Sequence, residues 1–252
     1  MAAAAAEAAA LCLQFQPMSD YLENTLGVDN VIMRSRLIRS GFKLPDTVAT
    51  KKITWVKSVC YTIRKQSGTA VTKEISMELE ENLDWFVKWC IYMYLTQRNL
   101  DLDEATLDHI REIGTWYDQL QDDPDESIVD KFTDGCSKRE WIESIRGYFN
   151  VKKGVAGLPL AYVIRDLDGL PADDPGFGNP DFDTELAARG RHEGHYWRAD
   201  NKSVWLFLQS KCHGTSAWNC ILRFERQSNG RGAFKALCDQ YVGADGDGPF
   251  DE

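Results

Sequence analysis

No stretch of the 252-residue chain reaches the roughly 18 uninterrupted apolar residues that a membrane-spanning helix needs, so no membrane partner is expected. Paired cysteines are missing as well. Cys12, Cys60, Cys90, Cys136, Cys212, Cys220 and Cys238 stand singly, and an odd number without any Cys-x-x-Cys argues against both a disulfide framework and a zinc ribbon. Reduced, mostly buried thiols in a cytoplasmic protein, with a nuclear one as the alternative, are expected instead. Cys212-His213 with Cys220 supplies three possible zinc ligands but no fourth nearby, so neither a metal nor a cofactor is expected. The Ala-rich opening from Met1 to Leu13 has no basic flank and carries Glu7 in its middle, which is not the pattern of a signal peptide. It reads as a low-complexity, mobile tail over residues 1–18.

Catalytic signatures are scarce too. The chain has no Gly-x-x-x-x-Gly-Lys phosphate loop, no Gly-x-Ser-x-Gly elbow and no Asp-Thr-Gly triplet. In His192-Glu193-Gly194-His195 the histidines are three apart with a glycine between, whereas a zinc hydrolase needs them four apart on one helix face. His195-Tyr-Trp-Arg198 with Tyr241 is similar to the His-x-x-Arg and nucleophilic tyrosine of phage-type recombinases. Such an enzyme needs a further upstream arginine to clamp the phosphate, and the one candidate, Arg165, lies 30 residues away. The acidic pairs Asp166/Asp168, Asp181/Asp183 and Asp245/Asp247 lack the other ligands of a calcium loop. The expectation is a protein without a catalytic site or small-molecule substrate, with recombinase-like strand transfer as the minor alternative.

What the chain does have is apolar residues enough for packed cores, 43% of the total, and a strongly segregated charge. The net charge of −10 argues against nonspecific nucleic-acid binding by the whole chain. Residues 19–66, however, carry nine Lys/Arg against four Asp/Glu, and residues 67–134 carry five against seventeen. The basic block is a local candidate for nucleic acid, with Arg34, Arg36, Arg39, Lys43, Lys51, Lys52, Lys57, Arg64 and Lys65 as the phosphate-facing residues. A solvated helix surface is the competing reading of the same residues.

The apolar spacing is helical throughout, so the predicted fold class is all-α. Leu22, Leu26, Val28, Val31, Met33, Leu37 and Ile38, then Val56, Val59, Cys60 and Ile63, outline a small helical unit over residues 19–66. After a polar connector over 66–73, Leu79 to Leu95 and Leu107 to Leu120 outline an acidic hairpin over 74–121. Its second helix is expected to start near Asp103, after a short turn at Asn99 to Asp101. Asp122-Asp-Pro-Asp-Glu marks a domain boundary. Beyond it, Ser137-x-x-Glu140 is a capping box that opens a helix carrying Trp141, Ile142, Ile145, Tyr148 and Phe149 on one face. Leu158 to Arg165 fits a buried strand or a helix, with the helical neighbours favouring the latter. Three prolines and two glycines make Leu170 to Asp183 an extended loop, followed by a short helix near Asp183 to Arg189.

The last segment, from Asp200, reads as three short helices. Asp200 or Asn201 caps the first, Gly214-Thr215 ends it and caps the second, and the third follows Asn229-Gly230. Trp141, Trp205, Trp218, Phe234, Leu237 and Tyr241 are the expected core of this region, with Ile221 and Leu222 on the second helix's apolar face. The Gly-rich acidic end, residues 244–252, is expected to be disordered.

Gly157-Leu-Pro-Leu-Ala-Tyr-Val-Ile-Arg165, Asp200-Asn-Lys-x-Val-Trp205, Thr215-x-Ala-Trp218, Asn229-Gly-Arg-x-Ala-Phe234 and Leu237-x-x-x-Tyr241-x-Gly243 resemble the Gag-like proteins encoded by copia-type and related long-terminal-repeat retrotransposons of diatoms and other protists. The resemblance is strongest over residues 132–243. It implies a capsid-like helical domain there, whose copies self-associate into a shell that packages the element's RNA. Two departures are plain. The zinc knuckle with which many Gag proteins grip RNA is absent, and so are protease, integrase and reverse-transcriptase motifs. A Gag fragment, or a Gag-only or domesticated protein, is what the resemblance implies. A helical nucleic-acid-binding or protein-interaction adaptor centred on residues 19–66 is the alternative.

Overall fold

The computed structural model describes residues 2–67, 75–165 and 181–243. Most of the connector over 66–73, most of the loop over 170–183 and the acidic tail over 244–252 lie outside them. The described backbone is all-α. It holds thirteen α-helices, and its only β feature among the described residues is an isolated bridge between Lys153 and Pro159. The chain forms two compact units, Met1–Gln119 and Leu120–Glu252, divided just ahead of the Asp122-Asp-Pro-Asp-Glu breaker.

In the first unit, α1 (Ala2–Gln14) and α2 (Gln16–Asn24) stand where a mobile tail was expected over residues 1–18. Alanine enters a helix at the least entropic cost, and its small side chain lets a helix lie close to a neighbour. Ala8 and Cys12, one turn apart, are buried, and α1 packs on α3 (Val31–Ser40), where the Cys12 thiol meets the Val31 carbonyl at 3.7 Å. Asn30 caps α3 by accepting the Ile32 and Met33 amides. Two further helices follow, α4 (Pro45–Ala49) and α5 (Trp55–Ser67), and then the long pair α6 (Met77–Leu95) and α7 (Leu107–Gln119).

The small basic unit over 19–66 and the acidic hairpin over 74–121 are not separate bodies. The Phe86 ring of α6 meets Tyr21 of α2 at 4.8 Å, Phe42 at 6.5 Å and Trp89 at 6.0 Å, so one aromatic core serves both. A unit of about 45 residues buries too little surface to stand alone, which is why the two merge. The hairpin's second helix starts at Leu107, later than expected. Thr106 caps it by accepting the His109 amide at 3.3 Å, while the Asp101 carboxylate accepts the Asp103 amide at 3.1 Å and holds that stretch in a turn.

Two contacts fasten α6 to α7. Lys88, only 5% exposed, gives its ammonium to Asp84 at 2.8 Å and to Asp118 at 2.5 Å. Trp85 packs against Gly114, where a Cβ would come within 2.0 Å of the indole ring. Gly114→Ala is therefore expected to displace Trp85 and to cost roughly 1–3 kcal/mol of stability. Urea unfolding with tryptophan fluorescence checks this; an unchanged midpoint and emission maximum would show that the contact is slack.

The second unit opens with α8 (Lys138–Val151), where the Ser137 hydroxyl accepts the Glu140 amide. Leu158 to Arg165 is helical only over α9 (Ala161–Ile164), a single turn. Next come α10 (Phe182–Arg189), capped by Asp181, and α11 (Gly194–Cys212). Then α12 (Trp218–Ile221) runs into a 3-10 turn over Leu222–Gln227, and α13 (Gly230–Tyr241) closes the unit. Tyr148 and Phe149 of α8 meet Phe207 of α11 at 4.3 and 5.0 Å between ring centres. Trp141, Trp205, Phe234 and Leu237 are buried with them.

Three expectations fail here. Trp218 and Tyr241 are half-buried and not part of the sealed core, because α12 is a single turn and α13 ends at Tyr241, so neither ring is enclosed on all sides. Leu222 is 46% exposed, since its 3-10 turn rotates it away from the helical face assumed for it. Thr215 turns its hydroxyl back to the Cys212 carbonyl at 2.6 Å and caps nothing.

Candidate functional site

The residues of the Asp200 and Asn229 motifs meet in one polar clamp between α9, α11 and α13. Asp200 is neither cap nor surface. Helix α11 begins six residues earlier at Gly194, and Asp200 sits in its interior, 1% exposed. Its Oδ1 accepts the Val155 amide at 2.8 Å, and its Oδ2 accepts the Tyr162 hydroxyl at 2.7 Å. Burial pushes its pKa up to about 6, and the two hydrogen bonds offset that rise only in part. The Tyr162 hydroxyl is pushed well above its ordinary range, first by burial and then by the neighbouring carboxyl, so it remains a donor.

The next residue continues the clamp. Asn201 Oδ1 accepts the Arg231 amide at 2.7 Å, and its Nδ2 donates to Asn229 Oδ1 at 3.3 Å. Asn229 in turn caps α13 by accepting the Gly232 amide at 3.0 Å. Arg231 is buried, and one of its guanidinium nitrogens donates to the Val163 carbonyl at 3.1 Å and the Arg165 carbonyl at 2.5 Å. Those two carbonyls end α9, a helix too short to satisfy its own last acceptors. Gly230 permits the closeness of the whole arrangement. A Cβ there would lie 2.4 Å from the Asn201 carbonyl oxygen and 2.5 Å from the Trp205 nitrogen.

The clamp was partly legible. Tyr196, Asp200, Val204 and Leu208 recur every four residues, which continues the apolar stripe of α11 back through Asp200. Asp is equally a favoured helix cap, and that role competes with the periodicity in the sequence.

The nine basic residues of the first unit do not form one free surface. Arg34 is buried, with its guanidinium on the Val28 and Asp29 carbonyls at 2.8 and 2.9 Å and on Glu23 at 3.0 Å. It holds the turn ahead of α3 and leaves the phosphate-facing set. Arg39 pairs with Glu7 at 2.5 Å, and Arg64 with Glu80 at 2.6 Å and the Ile75 carbonyl at 3.2 Å. Lys43 lies over the Phe15 ring and Lys51 over Trp55. Arg36 and Lys51 are half-exposed, whereas Lys43, Lys52, Lys57 and Lys65 are exposed.

The other residues weighed for chemistry are placed as follows. Tyr241 stacks on Phe132 at 5.2 Å, and its phenol is pushed up to about 12, chiefly by burial, the opposite of what an activated nucleophile needs. His192 Nε2 donates to the Tyr162 carbonyl at 2.8 Å, and its ring lies 4.4 Å from Trp197. The His195 ring rests on Tyr196 at 3.9 Å, and burial and Arg198 lower its pKa. Cys212 is pushed up to about 12 and Cys60 to about 11 by burial. Among the described residues no group of three or more His, Cys, Asp or Glu is placed to hold a metal ion, and no helix is long and apolar enough to cross a membrane. Asp166/Asp168 and Asp245/Asp247 lie outside the described residues, and Asp181 is spent on capping α10. Comparison of the chain with models of known protein families, with curated proteins and with solved structures gives no match.

Proposed function

We propose that the chain is a Gag-like structural protein that self-associates and packages RNA of the kind made by copia-type retrotransposons. The observation that carries this reading is the role of the residues on which the resemblance rests. Asp200, Asn201, Asn229, Gly230 and Arg231 are used up in fastening three helices together, as a structural building block requires and as a reaction centre does not. The all-helical, two-unit organisation supports the same reading. Packaging calls for solvent-facing cations, and Lys43, Lys52, Lys57 and Lys65 of the first unit are exposed.

Sedimentation velocity at low salt, with and without a single-stranded RNA, is the test. The expected result is concentration-dependent self-association that RNA enhances. Reversing Lys43, Lys52, Lys57 and Lys65 to Glu is expected to abolish the RNA enhancement and flatten its salt dependence, by roughly one unit of log–log slope per lost phosphate contact. A chain that stays monomeric at high concentration in both conditions defeats the proposal. RNA affinity that survives the quadruple reversal defeats the assignment of the surface.

A further inference from the structure

Helix α11 keeps Tyr196, Asp200, Val204, Trp205, Phe207, Leu208 and Cys212 inside. Lys202, Ser203, Leu206 and Ser210 face out. At 3.6 residues per turn these four share a single stripe about a quarter-turn wide. Leu206, at its centre, is 51% exposed, although the aromatic residues on either side of it, Trp205 and Phe207, are buried. The serines on either side do not call for an outside partner. Ser203 Oγ donates to the Ala199 carbonyl at 3.1 Å and Ser210 Oγ to the Phe207 carbonyl at 2.7 Å. They leave the stripe flat enough for another helix to approach. Beside Leu206 opens a groove of about 300 Å³ over Tyr148, Phe149, Leu160 and Phe207, with Glu126 on its rim.

The charges at the two ends of the stripe are opposite. Lys202 lies one turn before Leu206, and its ammonium has no ion-pair partner among the described residues. Ser210 lies one turn after Leu206, and there Glu126 is anchored, because Lys211 Nζ donates to its carbonyl at 2.7 Å. The Glu126 carboxylate is exposed and likewise without an ion-pair partner among the described residues. The cation that lines the groove, Lys152, is already held by Asp123 at 3.0 Å. Lys202, Leu206 and Ser210 are spaced evenly along about 12 Å of helix, and Glu126 lines the same groove as Ser210.

Such a surface is complementary to itself. A two-fold axis through Leu206 lays α11 antiparallel on its own copy, with leucine on leucine and each Lys202 against Glu126 of the other molecule. A nucleic acid would meet the carboxylate, and a basic protein would meet the lysine, so a second copy of this chain is the occupant that both charges fit. We propose that the Lys202–Leu206–Ser210 stripe of α11 is a two-fold homodimer contact, with Leu206 of each copy entering the groove beside Leu206 of the other. The proposal rests on the self-association reading above and names its surface.

Sedimentation equilibrium of the full chain decides it. Leu206→Asp is expected to raise the dimer dissociation constant by about 100-fold. Lys202→Glu and Glu126→Lys each set like charges face to face twice, and each is expected to raise it about tenfold. The double variant Lys202→Glu/Glu126→Lys restores opposite pairs and is expected to return within about threefold of the parent. All three positions are exposed, and far-UV circular dichroism checks that each variant keeps its helices. A parent that associates while Leu206→Asp and both reversals leave the constant unchanged overturns this surface and leaves self-association standing. A double variant as weak as the single ones overturns the two-fold arrangement. A parent that stays monomeric up to about 1 mM, a concentration at which even a contact of roughly 4 kcal/mol is half-formed, overturns both proposals.

Discussion

Gly230→Ala is expected to cost the second unit about 3 kcal/mol, the largest effect of a single added methyl among the described glycines. The added carbon would sit 2.4 Å from the Asn201 carbonyl oxygen, 2.5 Å from the Trp205 nitrogen and 2.6 Å from the Val204 Cβ. Two of those atoms are helix backbone inside α11 and have no rotamer by which to move aside. Helix α13 must withdraw instead. Withdrawal breaks the Arg231 amide's bond to Asn201 and pulls the guanidinium from the Val163 and Arg165 carbonyls, leaving buried acceptors unmet. Gly114→Ala is milder because the atom in the way there belongs to a half-buried side chain. Hydrogen exchange on the α11 and α13 amides reads the loss in the second unit alone. Protection equal to that of the parent would mean that α11 and α13 have more slack than their spacing implies.

The second large effect is a dependence of stability on pH that runs opposite to ordinary acid denaturation. Asp200 titrates at about 6 in the folded protein and near 3.9 when the chain is unfolded. Between those values the folded state keeps a proton that the unfolded state has released. The stabilisation linked to that proton is complete below pH ~4 and is lost as pH rises through about 6. At ~1.4 kcal/mol per pH unit over roughly two units, the loss is about 3 kcal/mol. Asn in place of Asp keeps an acceptor for the Val155 amide and cannot ionise, so Asp200→Asn is expected to remove the dependence. Chemical denaturation of both proteins from pH 4 to 7.5 provides the comparison. Curves that stay parallel across that range would show that Asp200 ionises without cost.

Elements written in local pattern were legible. The apolar stripe from Leu79 to Leu95 forms α6, and Ser137 opens α8 as its spacing with Glu140 implies. Short-range geometry alone decides such features. The connector after α6 and the role of Asp200 differ from the sequence expectation for a shared reason. Asp serves equally as cap, turn former and buried acceptor, and only its surroundings choose among them. Asp101 holds a turn, Asp181 caps α10, and Asp200 is sealed inside α11. Arg34 shows the same limit for cations. It lies in a basic run with Arg36 and Arg39, yet its guanidinium is folded inward onto the Val28 and Asp29 carbonyls.

The sequence by itself determined the all-α class, the positions of most helices and the boundary near Asp122, because propensity, apolar period and breakers act over a few residues. Tertiary structure decided which of those helices share a core. It turned an alanine-rich stretch into α1, since Ala8 and Cys12 gain a partner only once α3 lies beside them. It also decided which charges are free. Arg34, Lys88, Asp200 and Arg231 are withdrawn from the surface by the partners that packing brings to them, and Lys202 and Glu126 are left exposed. Charge and burial depend on neighbours in space, and the order of residues along the chain does not specify those neighbours until the helices have packed.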